Sequence, residues 1–251
     1  MNNFDSCVHS TIDGAIATVT LSRPDVLNAI TREMLVQLSE TLDLISANEA
    51  VRVVVLTGEG RAFSAGVDLK ALGGRELVNG SIGELLDGPA REAIKRLTTI
   101  PQVVIARLNG ACFTGALELV LACDLVVAAN EAKIGDTHAK WGLRPSWGMS
   151  QRLVRALGVT RARELSYTAR TFSGADAAEW GLAIRAVPLV ELDEAVTALA
   201  NSVLANSPGS LVAYKDLYRR ALDTVLVDGL AQEAVTRYSI TDTESRIAGF
   251  R

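Results

Sequence analysis

With 251 residues, of which 49% are hydrophobic, the chain can bury a full core and form one domain, with room for an appendage. Its net charge of −4 argues against nucleic acid as the main partner, and no apolar run reaches the roughly 18 residues that a membrane span needs. Cys7, Cys112 and Cys123 lack metal-ligand spacing and are odd in number, and His9 and His138 are the only histidines. Reduced thiols and no structural metal are therefore expected. Met1-Asn-Asn-Phe-Asp has neither the basic nor the apolar region of a signal peptide, so the expected location is cytoplasmic.

In chain order, Ser10 to Ile12 and Ala15 to Leu21 flank Asp13-Gly14 and read as a hairpin, with Val19 and Leu21 on one face. Thr31 can cap a helix in which Met34, Leu35, Leu38, Leu42 and Ile45 recur at helical spacing. Val51 to Thr57 is a continuous apolar run, the pattern of a strand covered on both faces, and Gly58-Glu-Gly60 ends it. Ala71 to Pro89 holds five glycines in a polar stretch and is expected to be a mobile surface loop before a helix from Arg91 to Thr98. Gln102 to Arg107 and Leu125 to Ala129 are further strands, with Asn109-Gly110 turning the first. After Trp147 the pattern is helical at Met149 to Leu157, Thr160 to Thr168, Gly174 to Trp180, Leu192 to Leu204, Leu211 to Leu226 and Leu230 to about Ile247, interrupted by a strand at Ala183 to Val187.

One acidic side chain stands out. Glu118 lies in Thr114-Gly-Ala-Leu-Glu-Leu-Val-Leu-Ala-Cys-Asp124, a stretch otherwise almost wholly apolar. A carboxylate buried there without a partner would have a raised pKa, which suits a group that gives and takes protons near neutrality. Upstream, Arg61-Ala-Phe-Ser-Ala-Gly-Val-Asp-Leu-Lys70 forms a second small-residue turn. Two such turns and one buried acid suggest chemistry on a polarised carbonyl.

Several segments together resemble the enoyl-CoA hydratase/isomerase (crotonase) superfamily. They are Leu21-Ser-Arg-Pro-Asp-Val-Leu-Asn-Ala29, Ala62-Phe-Ser-Ala-Gly-Val-Asp-Leu69, Leu108-Asn-Gly-Ala-Cys-Phe-Thr-Gly-Ala-Leu-Glu118 with Cys123-Asp124, Ala132-Lys-Ile-Gly135, Gly148-Met-Ser-Gln-Arg-Leu153 and Ala175 to Gly181. The resemblance implies an α/β fold, a crotonase-type spiral of β-β-α units with two roughly perpendicular sheets. Residues 1–190 would form the spiral core with an acyl-CoA site, and 191–251 a C-terminal helical region for oligomer packing, as a homotrimer or dimer of trimers.

The resemblance also implies an acyl-CoA thioester as ligand, with CoA carried by the substrate and no separate cofactor or metal. The backbone N–H groups of Val67 and Gly115 would form the oxyanion hole, where two donors can hold a thioester oxygen as it gains enolate charge. Ala65, Gly66, Asp68, Lys70, Thr114 and Trp141 would line the substrate and CoA site. Lys70 reads equally well as a solvated helix lysine, and Trp141 and Trp147 as plain core packing.

Glu118 matches the family's first catalytic glutamate. At the second catalytic position the chain departs, because Gly135-Asp-Thr-His-Ala139 places His138 where hydratases carry another glutamate. Hydration benefits from two acid–base groups, whereas one can move a double bond. An imidazole could substitute, with Asp136 orienting it, or both could simply tie down the loop. Hydration of a trans-2-enoyl-CoA is the leading expectation, with double-bond isomerisation by Glu118 alone, or acyl-CoA binding without turnover, as alternatives. Thioester hydrolysis by an Asp136-His138 pair with Ser64 or Ser146 lacks a nucleophile-elbow motif. Lys215, Arg219 and Arg220 read as solvated or as facing CoA phosphates, and the ending at Arg251 is shorter than the family's basic-aromatic tail.

Overall fold

A computed structural model describes residues 6–70 and 78–249. Six strands form one sheet: β1 (Val8–Asp13), β2 (Ile16–Leu21), β3 (Val53–Gly58), β5 (Val103–Leu108), β7 (Leu125–Ala129) and β10 (Arg185–Val187), in the order β1-β2-β3-β5-β7-β10. β1 and β2 are antiparallel and the remaining pairs parallel. Four short strands form the other: β4 (Ala62–Ser64), β6 (Ala111–Phe113), β8 (Lys133–Gly135) and β9 (Phe172–Ser173), in that order.

The chain alternates between the sheets. Each long strand β3, β5 and β7 is followed within a few residues by a short one, β4, β6 or β8, so consecutive turns of the spiral stack side by side. The corners are tight. A Cβ on Gly58 would lie 2.1 Å from the carbonyl oxygen of Phe63, so only glycine fits there.

Helices α1 (Arg32–Ser46), α2 (Glu84–Thr99), α3 (Gly115–Val120), α4 (Met149–Thr168) and α5 (Gly174–Glu179) pack around the sheets. Thr31 caps α1 by accepting from Met34 N–H at 3.2 Å, and Met34, Leu35, Leu38, Leu42 and Ile45 form its buried stripe. Each such side chain contributes about 1.5–3 kcal/mol on burial. Val53 to Leu56 is buried at every position, as a strand covered on both faces requires.

The region 71–89 differs from expectation. Its residues 71–77 lie outside the described residues, but α2 already starts at Glu84 and runs through Gly88 and Pro89. Leu86, Ala90, Ala93, Ile94 and Leu97 form an apolar stripe strong enough to override both breakers, although Pro89, in the second turn, forgoes the bond to the Leu85 carbonyl. α4 is continuous except at Gly158, whose φ of 74° and ψ of 159° separate the two predicted halves.

The C-terminal part holds α6 (Leu192–Leu204), α7 (Pro208–Ala221), α8 (Leu226–Val235) and α9 (Thr243–Gly249). α7 begins at Pro208 rather than Leu211, because Ser207 caps it and proline is pre-set for the first helical position. The single late helix expected from Leu230 is two, with a non-helical stretch after Val235. Lys215 is not a surface lysine. Its Nζ bonds Asp124 Oδ2 at 2.8 Å and the carbonyls of Leu97 and Gln102 at 3.1 and 2.8 Å, fastening α7 to the sheet. Among the described residues no helix is long and apolar enough to cross a membrane.

Candidate functional site

Glu118 lies on α3, only 1% exposed. Its Oε1 accepts the backbone N–H groups of Trp147 at 3.0 Å and Met149 at 2.9 Å. Burial pushes its pKa above the usual carboxylate range, and the two N–H donors and His138 offset only part of that rise. Oε2 is left facing His138 Nε2 at 3.7 Å. That is too long for a direct hydrogen bond, but one oxygen about 2.8 Å from each atom could bridge them.

His138 is buried as well, in the turn after β8. Its Nδ1 lies 2.7 Å from Asp136 Oδ1, and Asp136 Oδ2 accepts from Ser166 Oγ of α4 at 2.7 Å. Burial disfavours a charged Asp136, yet the hydrogen bonds from His138 and Ser166 outweigh it and hold its carboxyl below the usual range. Three titratable side chains, Asp136, His138 and Glu118, thus stand in a row inside the protein.

The two glycine turns touch beside this row. Gly66 has φ +90°, and a Cβ there would lie 2.7 Å from Phe113 O and 3.5 Å from Thr114 Cβ. Ile30 N–H donates to Gly66 O at 2.8 Å, and Asp68 N–H to Ile30 O at 2.9 Å. In such a parallel bridge the middle residue, Val67, turns its own N–H away from the paired strand. The first N–H groups of a helix lack intrahelical acceptors, and Gly115 opens α3.

Thr114, just before it, has φ +55° and ψ −113°, a conformation rare for a β-branched residue. It is held there by Thr114 N–H donating to Gly135 O at 2.9 Å and by a 2.7 Å bond between the hydroxyls of Thr114 and Thr137. The His138 segment and the Gly115 turn are therefore one mechanical unit.

Behind Gly115 stands Trp147. A Cβ on Gly115 would lie 2.5 Å from its Cζ3. The indole is latched, because its Nε1 donates to Asp87 Oδ1 at 2.7 Å, where Ser146 Oγ also donates at 2.7 Å. Gly115→Ala is expected to cost about 1–3 kcal/mol by overpacking and to lower kcat, because the displaced indole belongs to the residue whose N–H holds Glu118. Thermal melts and turnover on the same variant check this; a lower Tm with unchanged kcat would show the indole yielding without disturbing Glu118.

The structure thus gathers Glu118, His138, Gly66, Val67, Thr114 and Gly115. Ala65 is half-buried, its N–H donating to Leu27 O at 2.9 Å, and Asp68 pairs with Arg23 at 3.0 Å. Lys70 and Trp141 are exposed, Trp141 by 58% with Lys140 Nζ 5.9 Å from its ring centre. Sequence reasoning missed Asp87, which it placed in a loop, and Arg23 and Asn28. Asn28 is fully buried and bonds the carbonyls of Glu59 and Ala62, bracing the Val67 turn. The serines proposed as nucleophiles are engaged elsewhere: Ser64 Oγ accepts from Gly66 N–H and Ser146 donates to Asp87. Among the described residues no group of three or more His, Cys, Asp or Glu is placed to hold a metal ion.

Comparison with known proteins identifies the family. Residues 11–251 match the family model described as enoyl-CoA hydratase/isomerase. The Arabidopsis thaliana protein named probable enoyl-CoA hydratase 1, peroxisomal, is 34% identical over 88% of this chain and 81% of its own length. The enoyl-CoA hydratase of Bacillus anthracis superimposes with a TM-score of 0.86 at 32% identity, covering 91% of this chain and 88% of that one. A Thermobifida fusca YX protein crystallised with acetoacetyl-CoA gives 0.82 at 32% identity, covering 97% and 95%.

Proposed function

The chain belongs to the enoyl-CoA hydratase/isomerase family, and from that premise we propose that it adds water to a trans-2-enoyl-CoA thioester. The observation that carries this reading is the 3.7 Å approach of His138 Nε2 to Glu118 Oε2. Hydration needs a base for water and an acid for the α carbon, and these are two buried acid–base groups a single oxygen could bridge. The acetoacetyl-CoA bound to the similar Thermobifida fusca protein supports an acyl thioester as ligand.

In this reading the thioester oxygen accepts from Val67 and Gly115 N–H, which stabilise it as it gains negative charge. His138 Nε2 takes a proton from water as the water oxygen bonds the β carbon. The electron pair of the double bond moves toward the thioester, giving an enolate. Glu118, whose carboxyl is shifted by burial toward the protonated form, then delivers its proton to the α carbon. Proton transfer from His138 to Glu118 through one bridging water restores both groups, and the net change is one water added.

CoA enters and leaves with the substrate, so the scheme uses no separate cofactor. Gly66, Asp68 and Thr114 are assigned to the thioester, Ala65 and the exposed Lys70 to the CoA adenine and phosphate side, and Trp141 to the acyl end. Residues 191–251 are assigned to packing within a homotrimer or dimer of trimers. Supporting this, α8 buries no residue in the monomer and exposes Leu226, Val227, Leu230 and Val235.

The test is a mass-resolved assay of purified protein with short, medium and long trans-2-enoyl-CoA and 3-enoyl-CoA thioesters. The expected product from a trans-2-enoyl-CoA is the 3-hydroxyacyl-CoA, heavier than its substrate by one water. Constant mass with a moved double bond would replace hydratase by isomerase, and tight binding without turnover would remove the catalytic assignment.

A further inference from the structure

The imidazole of His138 has two faces, and the reaction proposed above uses only Nε2. The other is occupied by Asp136, which is 3% exposed. Asp136 Oδ1 is 2.7 Å from Nδ1 and also accepts the His138 backbone N–H at 3.3 Å. Its second oxygen is held from a separate element, by Ser166 Oγ of α4 at 2.7 Å. The carboxylate is therefore clamped between the turn it belongs to and a helix 30 residues further along the chain.

An ionised carboxylate can only accept hydrogen bonds, and a neutral imidazole carries one N–H and one lone pair. An ionised Asp136 on Nδ1 therefore favours, in the neutral ring, the proton on Nδ1 and the lone pair on Nε2, the nitrogen that faces Glu118. We propose that Asp136, steadied by Ser166, is a positioning residue that fixes His138 as the Nδ1–H tautomer and leaves Nε2 free to take a proton. The inference deepens the hydration reading and rests on it for its kinetic consequence. The tautomer itself is a property of the resting protein.

Asp136→Asn separates orientation from simple loop fastening. Asparagine keeps the size, and with its amide nitrogen in the place of Oδ1 and its carbonyl still accepting from Ser166 Oγ it donates to Nδ1 and stabilises the opposite tautomer, giving up the 3.3 Å bond from the His138 backbone N–H. The experiment combines two readouts on wild type, Asp136→Asn and Ser166→Ala. The first is nitrogen-15 NMR of the histidine rings, in which His9, exposed on β1, is assigned by His9→Gln. The second is kcat and KM for enoyl-CoA hydration, with a thermal melt to establish folding.

Wild type is expected to show Nδ1 protonated and Nε2 bare. In Asp136→Asn that pattern is lost and kcat falls about 100- to 10,000-fold, the range for a displaced acid–base group, while KM stays within about twofold. Ser166→Ala gives a smaller fall in kcat, about tenfold, as expected for one hydrogen bond to a charged group. Nε2 protonated in the resting wild type would overturn the proposal even if hydration is observed. So would an Asp136→Asn protein with unchanged tautomer and kcat. Should Asp136→Asn not fold, Ser166→Ala with wild-type spectrum and kcat would overturn it. If the tautomer behaves as proposed but no enoyl-CoA gains water, the hydration reading falls and the positioning assignment stands.

Discussion

Glu118→Gln is expected to lower kcat by about 100- to 10,000-fold while leaving the protein at least as stable as wild type. The glutamine carbonyl can accept the same N–H groups of Trp147 and Met149 that now hold Oε1. Its amide can donate toward the bare Nε2 of His138, so the cluster keeps its contacts. What disappears is the proton that the α carbon must receive, together with the cost of burying a charge at pH values where Glu118 ionises.

The pH dependence follows from the direction of the shift. The folded pKa of Glu118 is raised by burial, so its contribution to stability is fully present below the unfolded value of about 4.3 and is lost as pH rises through the folded value. Asp136 behaves oppositely. Its folded pKa is lowered, so its contribution is present above the unfolded value of about 3.9 and is lost as pH falls through the folded one. Melts of wild type and Glu118→Gln across the acid-to-neutral range should therefore diverge in favour of the variant as pH rises. Convergence would mean that the carboxylate is not penalised by its surroundings.

A large effect on stability is expected at Lys215, far from the chemistry. Its Nζ satisfies Asp124 and two carbonyls at once, with its side chain 8% exposed. Asp124 also accepts Val104 N–H at 2.7 Å, and burial raises its pKa although Lys215 and that N–H pull it down. Lys215→Met leaves this carboxylate and two carbonyls without their cation. Because the Asp124 side chain is itself 27% exposed, the loss is below that of a fully buried pair, about 1–3 kcal/mol, or about 2–12 °C in Tm for a chain of this size. Asp124→Asn/Lys215→Met should recover part of the loss, since asparagine still accepts from Val104 and carries no charge to strand. A Lys215→Met protein melting with wild type would mean that α7 is not anchored here.

Much of the spiral is legible in the sequence because its long strands and α1 carry strong patterns. Val53 to Leu56 reads as a doubly covered strand, and the stripe from Met34 to Ile45 as a helix face, and both form as read. The strands of the second sheet, two or three residues each, are too short for periodicity to register. The start of α2 was hidden by Gly83, Gly88 and Pro89, local breakers outweighed by tertiary burial of Leu86 and Ala90. With α2 went Asp87, whose role depends on the indole of Trp147, 60 residues away in sequence.

Within the site, Glu118 was legible as an acid in apolar surroundings, and His138 through its place in a motif. The clamp from Ser166 and the burial of Lys215 were not, because both depend on which helix the fold lays beside which strand.

The most direct measurement of the central claim is hydration of a trans-2-enoyl-CoA in water labelled with oxygen-18, using wild type, Glu118→Gln and His138→Ala. Cooperation of His138 and Glu118 predicts label on the β-carbon hydroxyl in wild type and at least a 100-fold slower rate in either variant, with 3-enoyl-CoA isomerisation surviving in His138→Ala if Glu118 alone can carry it. Unlabelled product of unchanged mass, formed equally by wild type and His138→Ala, would contradict it.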